Sequence, residues 1–138
     1  MPDTVTRSQD DTERLAATLA ATLRGGDVVL LSGPLGAGKT AFVRGLARGL
    51  GVDPGEVSSP TFTLVHEYRG GRLRLFHADL YRLGTAAAED LGLDELGVRT
   101  GVLAIEWPDR LGHAFRGAIE VTLEVVDETT RRITVRQA

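Results

Sequence analysis

Hydrophobic positions along this chain recur in two periods, one helical and one strand-like. Leu15, Leu19 and Leu23 repeat every four residues behind an Asp10/Glu13 capping-box pattern. They predict a first helix over about 11–24, stopped by Gly25-Gly26. Val28-Val29-Leu30-Leu31 is continuously apolar and predicts a buried strand. After a glycine-rich turn, Phe42, Val43, Leu46, Ala47 and Leu50 mark one face of a second helix over 39–50, with Gly51 as its C-cap.

The second half reads mainly as strands. Segments 61–68 and 72–78, joined at Gly70-Gly71, predict a hairpin in which Leu73, Leu75 and His77 alternate with Arg72, Arg74 and Phe76. A short helix is predicted over 86–91. Val102-Leu103-Ala104-Ile105 is another continuous apolar run, ending at Glu106-Trp107-Pro108. Two closing strands, 118–126 and 131–136, flank a polar turn at 127–130. Ile119, Val121, Leu123 and Val125 alternate with Glu120, Thr122 and Glu124, which predicts one wet face. The uniformly apolar runs, in contrast, predict a sheet covered on both faces with parallel pairing at its centre.

Composition narrows the picture. A length of 138 residues fits one domain over 1–138, with residues 1–9 expected to be flexible. The absence of cysteine excludes disulfides and thiolate metal sites. Apolar runs such as 28–31 fall far short of the roughly 20 residues of a membrane span. The polar N-terminal segment has no apolar signal region, so a cytoplasmic protein without membrane contact is expected. The net charge of -3 argues against direct, charge-driven nucleic-acid binding. Of 16 basic residues only Lys39 is lysine.

That lysine lies in Gly33-Pro34-Leu35-Gly36-Ala37-Gly38-Lys39-Thr40, which matches the phosphate-binding pattern G-x-x-x-x-G-K-[ST] at every fixed position. The chemistry requires each part. Glycines let backbone N–H groups wrap phosphate closely. The following helix, through Ala41 and beyond, offers its positive N-terminus. Lys39 brings a point charge to the outer phosphates, and Thr40 a hydroxyl to Mg²⁺. The fold class is therefore α/β, a P-loop NTPase-like mixed sheet with a parallel centre and added antiparallel strands. Guanine reading through Asn-Lys-x-Asp is excluded, because the only lysine is already in the loop. Asp94-Glu95-Leu96-Gly97 has no apolar strand before it and reads as a solvated turn. ATP is the expected nucleotide.

An acid at a neighbouring strand end must serve the metal or the attacking water. Asp79, after the strand at 73–78, and Glu106, after the run at 102–105, both fit, and the choice stays open. Ser58-Ser59-Pro60-Thr61 reads either as a Ser-Pro turn or as a hydroxyl-rich loop over the γ-phosphate. His77 reads as a core histidine satisfied by hydrogen bonding. Trp107 reads equally as core and as a stacking surface.

Four segments in this order resemble the bacterial TsaE (YjeE) family: Leu35-Gly36-Ala37-Gly38-Lys39-Thr40, Ser59-Pro60-Thr61-Phe62-Thr63-Leu64, His77-Ala78-Asp79-Leu80-Tyr81-Arg82-Leu83 and Glu106-Trp107. The resemblance covers roughly 10–136. It implies a small ATPase that supports N6-threonylcarbamoyladenosine formation in tRNA by acting on a TsaD–TsaB pair, touching tRNA only indirectly. It implies that Gly36 to Thr40 hold phosphates, that Thr40 binds Mg²⁺, that Glu106 is the acid near Mg²⁺ and the γ-phosphate, that Asp79, also a candidate metal ligand, is an acid required for activity, and that Trp107 is a functional aromatic beside it. Thr61 falls in its switch-like segment. It also implies that Arg131 and residues around Gln9 lie against the base. Two other readings fit a phosphate loop: a small-molecule kinase, for which only Arg82 and Arg99 stand between Asp79 and Val102 as lid arginines, and a non-catalytic ATP-dependent binding module.

Overall fold

The two continuous apolar runs lie side by side at the middle of one sheet. The structure, a computed structural model, describes residues 3–57, 65–81, 83, 92–93, 100–112 and 115–137. Its elements are β1 (Thr4–Thr6), α1 (Gln9–Ala20), β2 (Val28–Ser32), α2 (Lys39–Leu50), β3 (Val65–Tyr68), β4 (Arg74–Asp79), β5 (Gly101–Glu106), β6 (Ile119–Val125) and β7 (Arg131–Gln137). Short 3-10 turns occur at Pro54–Glu56 and Pro108–Arg110. The strand order is β1-β7-β6-β2-β5-β4-β3.

The expected parallel centre is present. β2 pairs parallel with both β5 and β6, and β4 pairs parallel with β5. The edges are antiparallel: β1 on β7, β7 on β6 and β3 on β4. Every residue of β5 is buried, as a strand covered on both faces requires. Val29, Leu31, Leu75, Val102, Ala104, Val121 and Leu123 face α1 and α2 in one core. Phe76, Ala78, Leu103 and Ile105 form a second core on the opposite face, with Leu80, Leu93 and Phe115. On β6, Val121 and Leu123 are buried while Thr122 and Glu124 are exposed, as predicted, but Val125 at the strand's end is exposed too, where the alternation would bury it.

Three boundaries differ from the sequence reading. Residues 3–9 are not a frayed tail, because Thr4–Thr6 pairs with Arg131, Arg132 and Ile133. The first helix starts at Gln9, not 11, because Ser8 caps it by accepting the Asp11 N–H at 3.0 Å. Asp11 in turn accepts the Arg7 N–H at 3.0 Å, so Glu13 is freed from any capping box and instead bonds Arg48 at 3.0 Å. That helix ends at Ala20, not 24, because Arg72 takes the carbonyls of Ala20 (2.8 Å) and Leu23 (3.0 Å) from beyond its end. The predicted helix at 86–91, and residues 61–64 of the predicted hairpin, lie outside the described residues.

α1 and α2 pack at unusually short range. A Cβ placed on Gly45 would meet the Glu13 carbonyl at 2.2 Å and the Ala16 Cβ at 2.6 Å. One on Gly49 would meet the Ala17 carbonyl and the Ala20 Cβ, both at 2.6 Å. These glycines, one turn apart, let the α2 backbone sit directly on α1, which fixes where α2 begins.

Helix propensity alone predicts that Gly45→Ala stabilises by about 1 kcal/mol. The packing reverses the sign: overpacking against backbone should cost ~1–3 kcal/mol net. Urea unfolding should show a lower midpoint, and an unchanged or raised midpoint would contradict the close helix contact.

Candidate functional site

Parallel strands place their C-terminal ends at one edge of the sheet, and the chemistry-bearing residues gather there. β2 runs directly into the loop at 33–38, and α2 starts at Lys39. In register, Leu31 pairs with Glu106 and Glu106 pairs with Asp79. Topology thus brings the loop and both candidate acids together.

The loop needs its glycines. Gly36 (φ 79°) and Gly38 (φ 100°) hold left-handed backbone, the latter capping α2. A Cβ on Gly33 would lie 2.6 Å from the Leu123 carbonyl, so β6 presses on the loop from outside. The first-turn N–H groups of α2 have no partner within the helix and make an anion site with its dipole. Leu35 is exposed at the tip, while Ala37 and Ala41 are buried.

Lys39 is only 5% exposed. Its Nζ donates to the carbonyls of Gly33 and Pro34, the latter at 2.9 Å, and sits 4.0 Å from the centroid of the Trp107 ring. Burial pushes its pKa below the usual lysine value, opposed by the carboxylates of Glu106, Asp79 and Asp109. The ammonium is therefore held between the loop carbonyls and the acids that oppose the effect of burial.

Glu106 is 3% exposed and carries two contacts on one oxygen. Its Oε2 accepts from Thr40 Oγ1 at 3.2 Å and lies 2.5 Å from His77 Nε2. His77 is fully buried, and its Nδ1 has no hydrogen-bond partner among the described residues. His77 is thus a core histidine as expected, but half satisfied, and it holds the acid rather than merely filling space. Its position two residues before Asp79 on β4 is the only sequence signal, and that signal is weak.

Asp79 is partly buried, and its Oδ1 accepts the Tyr81 N–H at 3.0 Å. Trp107 holds the only left-handed backbone among the described non-glycine residues (φ 60°, ψ 55°), a strained geometry for a bulky residue. Its N–H donates to Leu31 at 3.2 Å, its ring lies 4.9 Å from that of Tyr81, and it packs on the second core. The core reading of Trp107 is present: it packs on the second core, against Tyr81 and the Lys39 ammonium.

Gln9 and Arg131 lie on the other side of the loop. With Thr12, Gly36, Gly38 and Ala41 they line a pocket of about 340 Å³. Gln9 Nε2 donates to Glu13 at 3.2 Å. Arg131 donates to the carbonyls of Gly36 (3.0 Å) and Ala37 (3.1 Å), contacts with no local sequence signature. Thr61 and the whole 58–64 segment lie outside the described residues. Hard oxygen donors from Thr40, Glu106 and Asp79, beside a phosphate-type loop, suit Mg²⁺ rather than a soft metal.

Comparison with known proteins agrees. The family model described as "Threonylcarbamoyl adenosine biosynthesis protein TsaE" matches residues 6–134. A "tRNA threonylcarbamoyladenosine biosynthesis protein TsaE" from Treponema pallidum (strain Nichols) is 44% identical over 95% of this chain and 97% of that protein. One so named from Aquifex aeolicus (strain VF5) is 39% identical over 98% and 96%. The crystal structure of Bacillus subtilis YdiB aligns with a TM-score of 0.76 at 34% identity, over 96% of this chain and 82% of that one.

The buried His77–Glu106 contact predicts strong energetic coupling. His77→Phe alone, leaving a buried carboxylate without its ring partner, should destabilise by ~3 kcal/mol. Combined with Glu106→Leu it should cost clearly less than the sum, by about 1 kcal/mol or more. Additive losses in denaturant unfolding would show that the two groups do not hold each other.

Proposed function

The chain belongs to the TsaE family of tRNA threonylcarbamoyladenosine biosynthesis proteins, and on that premise we propose that it is a Mg²⁺-dependent ATPase. In this reading it acts in the cytoplasm on a TsaD–TsaB-like pair, which carries the modification and the tRNA contact. The observation that supports it most is the convergence of Thr40 Oγ1 and Glu106 Oε2, 3.2 Å apart, at the first turn of a helix entered through a complete phosphate loop. Among the described residues no helix is long and apolar enough to cross a membrane.

Each residue then has a task. The loop amides and the N-terminus of α2 bind the phosphates. Lys39, released from the Gly33 and Pro34 carbonyls, brings its charge to the β- and γ-phosphates. Thr40, with Glu106 or Asp79, would hold Mg²⁺, which would offset phosphate charge when bound. The other acid orients the water that attacks the γ-phosphorus, so the bond to the β-phosphate oxygen breaks to ADP and phosphate. Burial of Glu106 excludes bulk water and strengthens each of these interactions. The pocket lined by Gln9, Thr12 and Ala41 takes the nucleoside end. Hydrolysis resets the complex with the partner pair, a switch role rather than group transfer.

Lys39→Arg keeps the charge but replaces a compact ammonium with a planar guanidinium. It should lower ATP turnover by about 100-fold or more, within the range that transition-state charge stabilisation supplies. Glu106→Ala should bind ATP yet fail in a tRNA modification assay with the TsaD–TsaB pair. Full modification by Glu106→Ala would instead favour the non-catalytic binding module. Failure of the wild-type protein to bind ATP or the pair would overturn the proposal.

A further inference from the structure

Arg131 opens β7, and four hydrogen bonds occupy its guanidinium. Nε donates to the Ala37 carbonyl at 3.1 Å and Nη2 to the Gly36 carbonyl at 3.0 Å. Nη1 donates to the carbonyls of Asp127 (2.7 Å) and Thr130 (3.0 Å). The planar fork thus ties the β6–β7 turn to the back of the phosphate loop. That turn is itself fixed: Asp127 Oδ1 accepts the N–H groups of Thr129 (3.0 Å) and Thr130 (2.9 Å). Those bonds, Thr129's first, hold the Asp127 carboxyl below its usual pKa.

Two features of the loop make such a tie necessary. Gly36 and Gly38 flank Ala37 with left-handed backbone, where glycine turns at little cost. Between them only the Ala37 methyl packs into the core, and neither glycine has a side chain to hold its peptide plane. In a trans peptide the carbonyl and the next N–H point opposite ways, and the described residues contain no cis bond. Holding the Ala37 carbonyl outward therefore aims the Gly38 N–H to the other side of the chain. Holding the Gly36 carbonyl outward likewise sets the Ala37 N–H, which donates to Pro34 at 3.1 Å and closes the turn.

We propose that Arg131 is a positioning residue for the phosphate loop, presetting its amides for the polyphosphate, so that its contribution to nucleotide affinity is independent of the base. This departs from the expectation that the arginine acts on the base, and it rests on the reading of the site as a nucleoside-triphosphate site. Lysine cannot replace it, because a single ammonium lacks the fork that spans two successive carbonyls and the turn.

The test compares wild type, Arg131→Gln and Arg131→Lys by competition against a fluorescent ADP analogue, with Mg²⁺ present. ATP, UTP and inorganic triphosphate are the competitors. Both variants should weaken all three by a similar factor, about tenfold or more, as expected for loss of charge-assisted bonds. Amide NMR signals of Gly36, Ala37 and Gly38 should shift while those of β4 stay, which a general loss of stability would not produce. A loss confined to ATP would overturn the inference and return Arg131 to the base, as would unchanged affinity in both variants. Wild-type protein that binds neither ATP nor triphosphate would refute the nucleotide reading itself, and this inference with it.

Discussion

A carboxylate buried to 3% exposure is the constraint on which the site depends. Glu106 ends β5, the strand most enclosed by the two cores, and an isolated ion there would cost several kcal/mol. Its oxygen is satisfied by groups from two other elements, Thr40 of α2 and His77 of β4. Each must be delivered to within hydrogen-bond reach, so the start of α2 and the register of β4 on β5 are both fixed by one charge. The nearby ammonium of Lys39 adds attraction, and Glu106 in return opposes the lowering of the Lys39 pKa by burial. Removing the acid would loosen Thr40 and Lys39, two groups that the proposed chemistry uses.

Meeting that constraint requires α2 to be placed accurately, and the helix pair does this. Gly45 and Gly49 remove the side chains that would hold α2 off α1, and Ala16 and Ala20 present small surfaces to them. The buried Glu13 then bonds Arg48 of α2 and Gln9 of its own helix. α1 is therefore more than a cover for the sheet. It fixes the axis along which the phosphate loop enters its helix, and its first turn supplies one wall of the adjoining pocket.

Much of this was legible in the sequence because it is local or periodic. The β2–loop–α2 unit has a strand run, fixed-spacing glycines and a helical face in consecutive residues. Asp79 and Glu106 could be named because an acid directly after an apolar strand stands at that strand's end. What escaped reading depends on distant backbone. A three-residue strand such as Thr4–Thr6 is too short to show a period, and it exists only because β7 lies beside it. The helix start moved because Ser8 competes better than Asp10 for the cap, a matter of which side chain reaches the third amide. Arg131 could be suspected of touching the nucleotide, but its bonds to the carbonyls of Gly36 and Ala37 leave no trace in residue type, since every residue has a carbonyl.

The phosphate loop ends up held from both sides by cations of different shape. From within, Lys39 bonds the carbonyls of Gly33 and Pro34 near the loop's start. From behind, Arg131 bonds those of Gly36 and Ala37 near its end. Lysine's ammonium is a compact point charge on a flexible stem, able to exchange carbonyls for phosphate oxygens as charge arrives. Arginine's planar fork gives direction and spans adjacent carbonyls, but exchanges partners less readily. A chain that uses arginine for 15 of its 16 basic residues has its one lysine where the proposed function requires the cation to move, and an arginine where the proposed positioning role requires the backbone to stay still. The division of labour follows from the geometry of the two head groups.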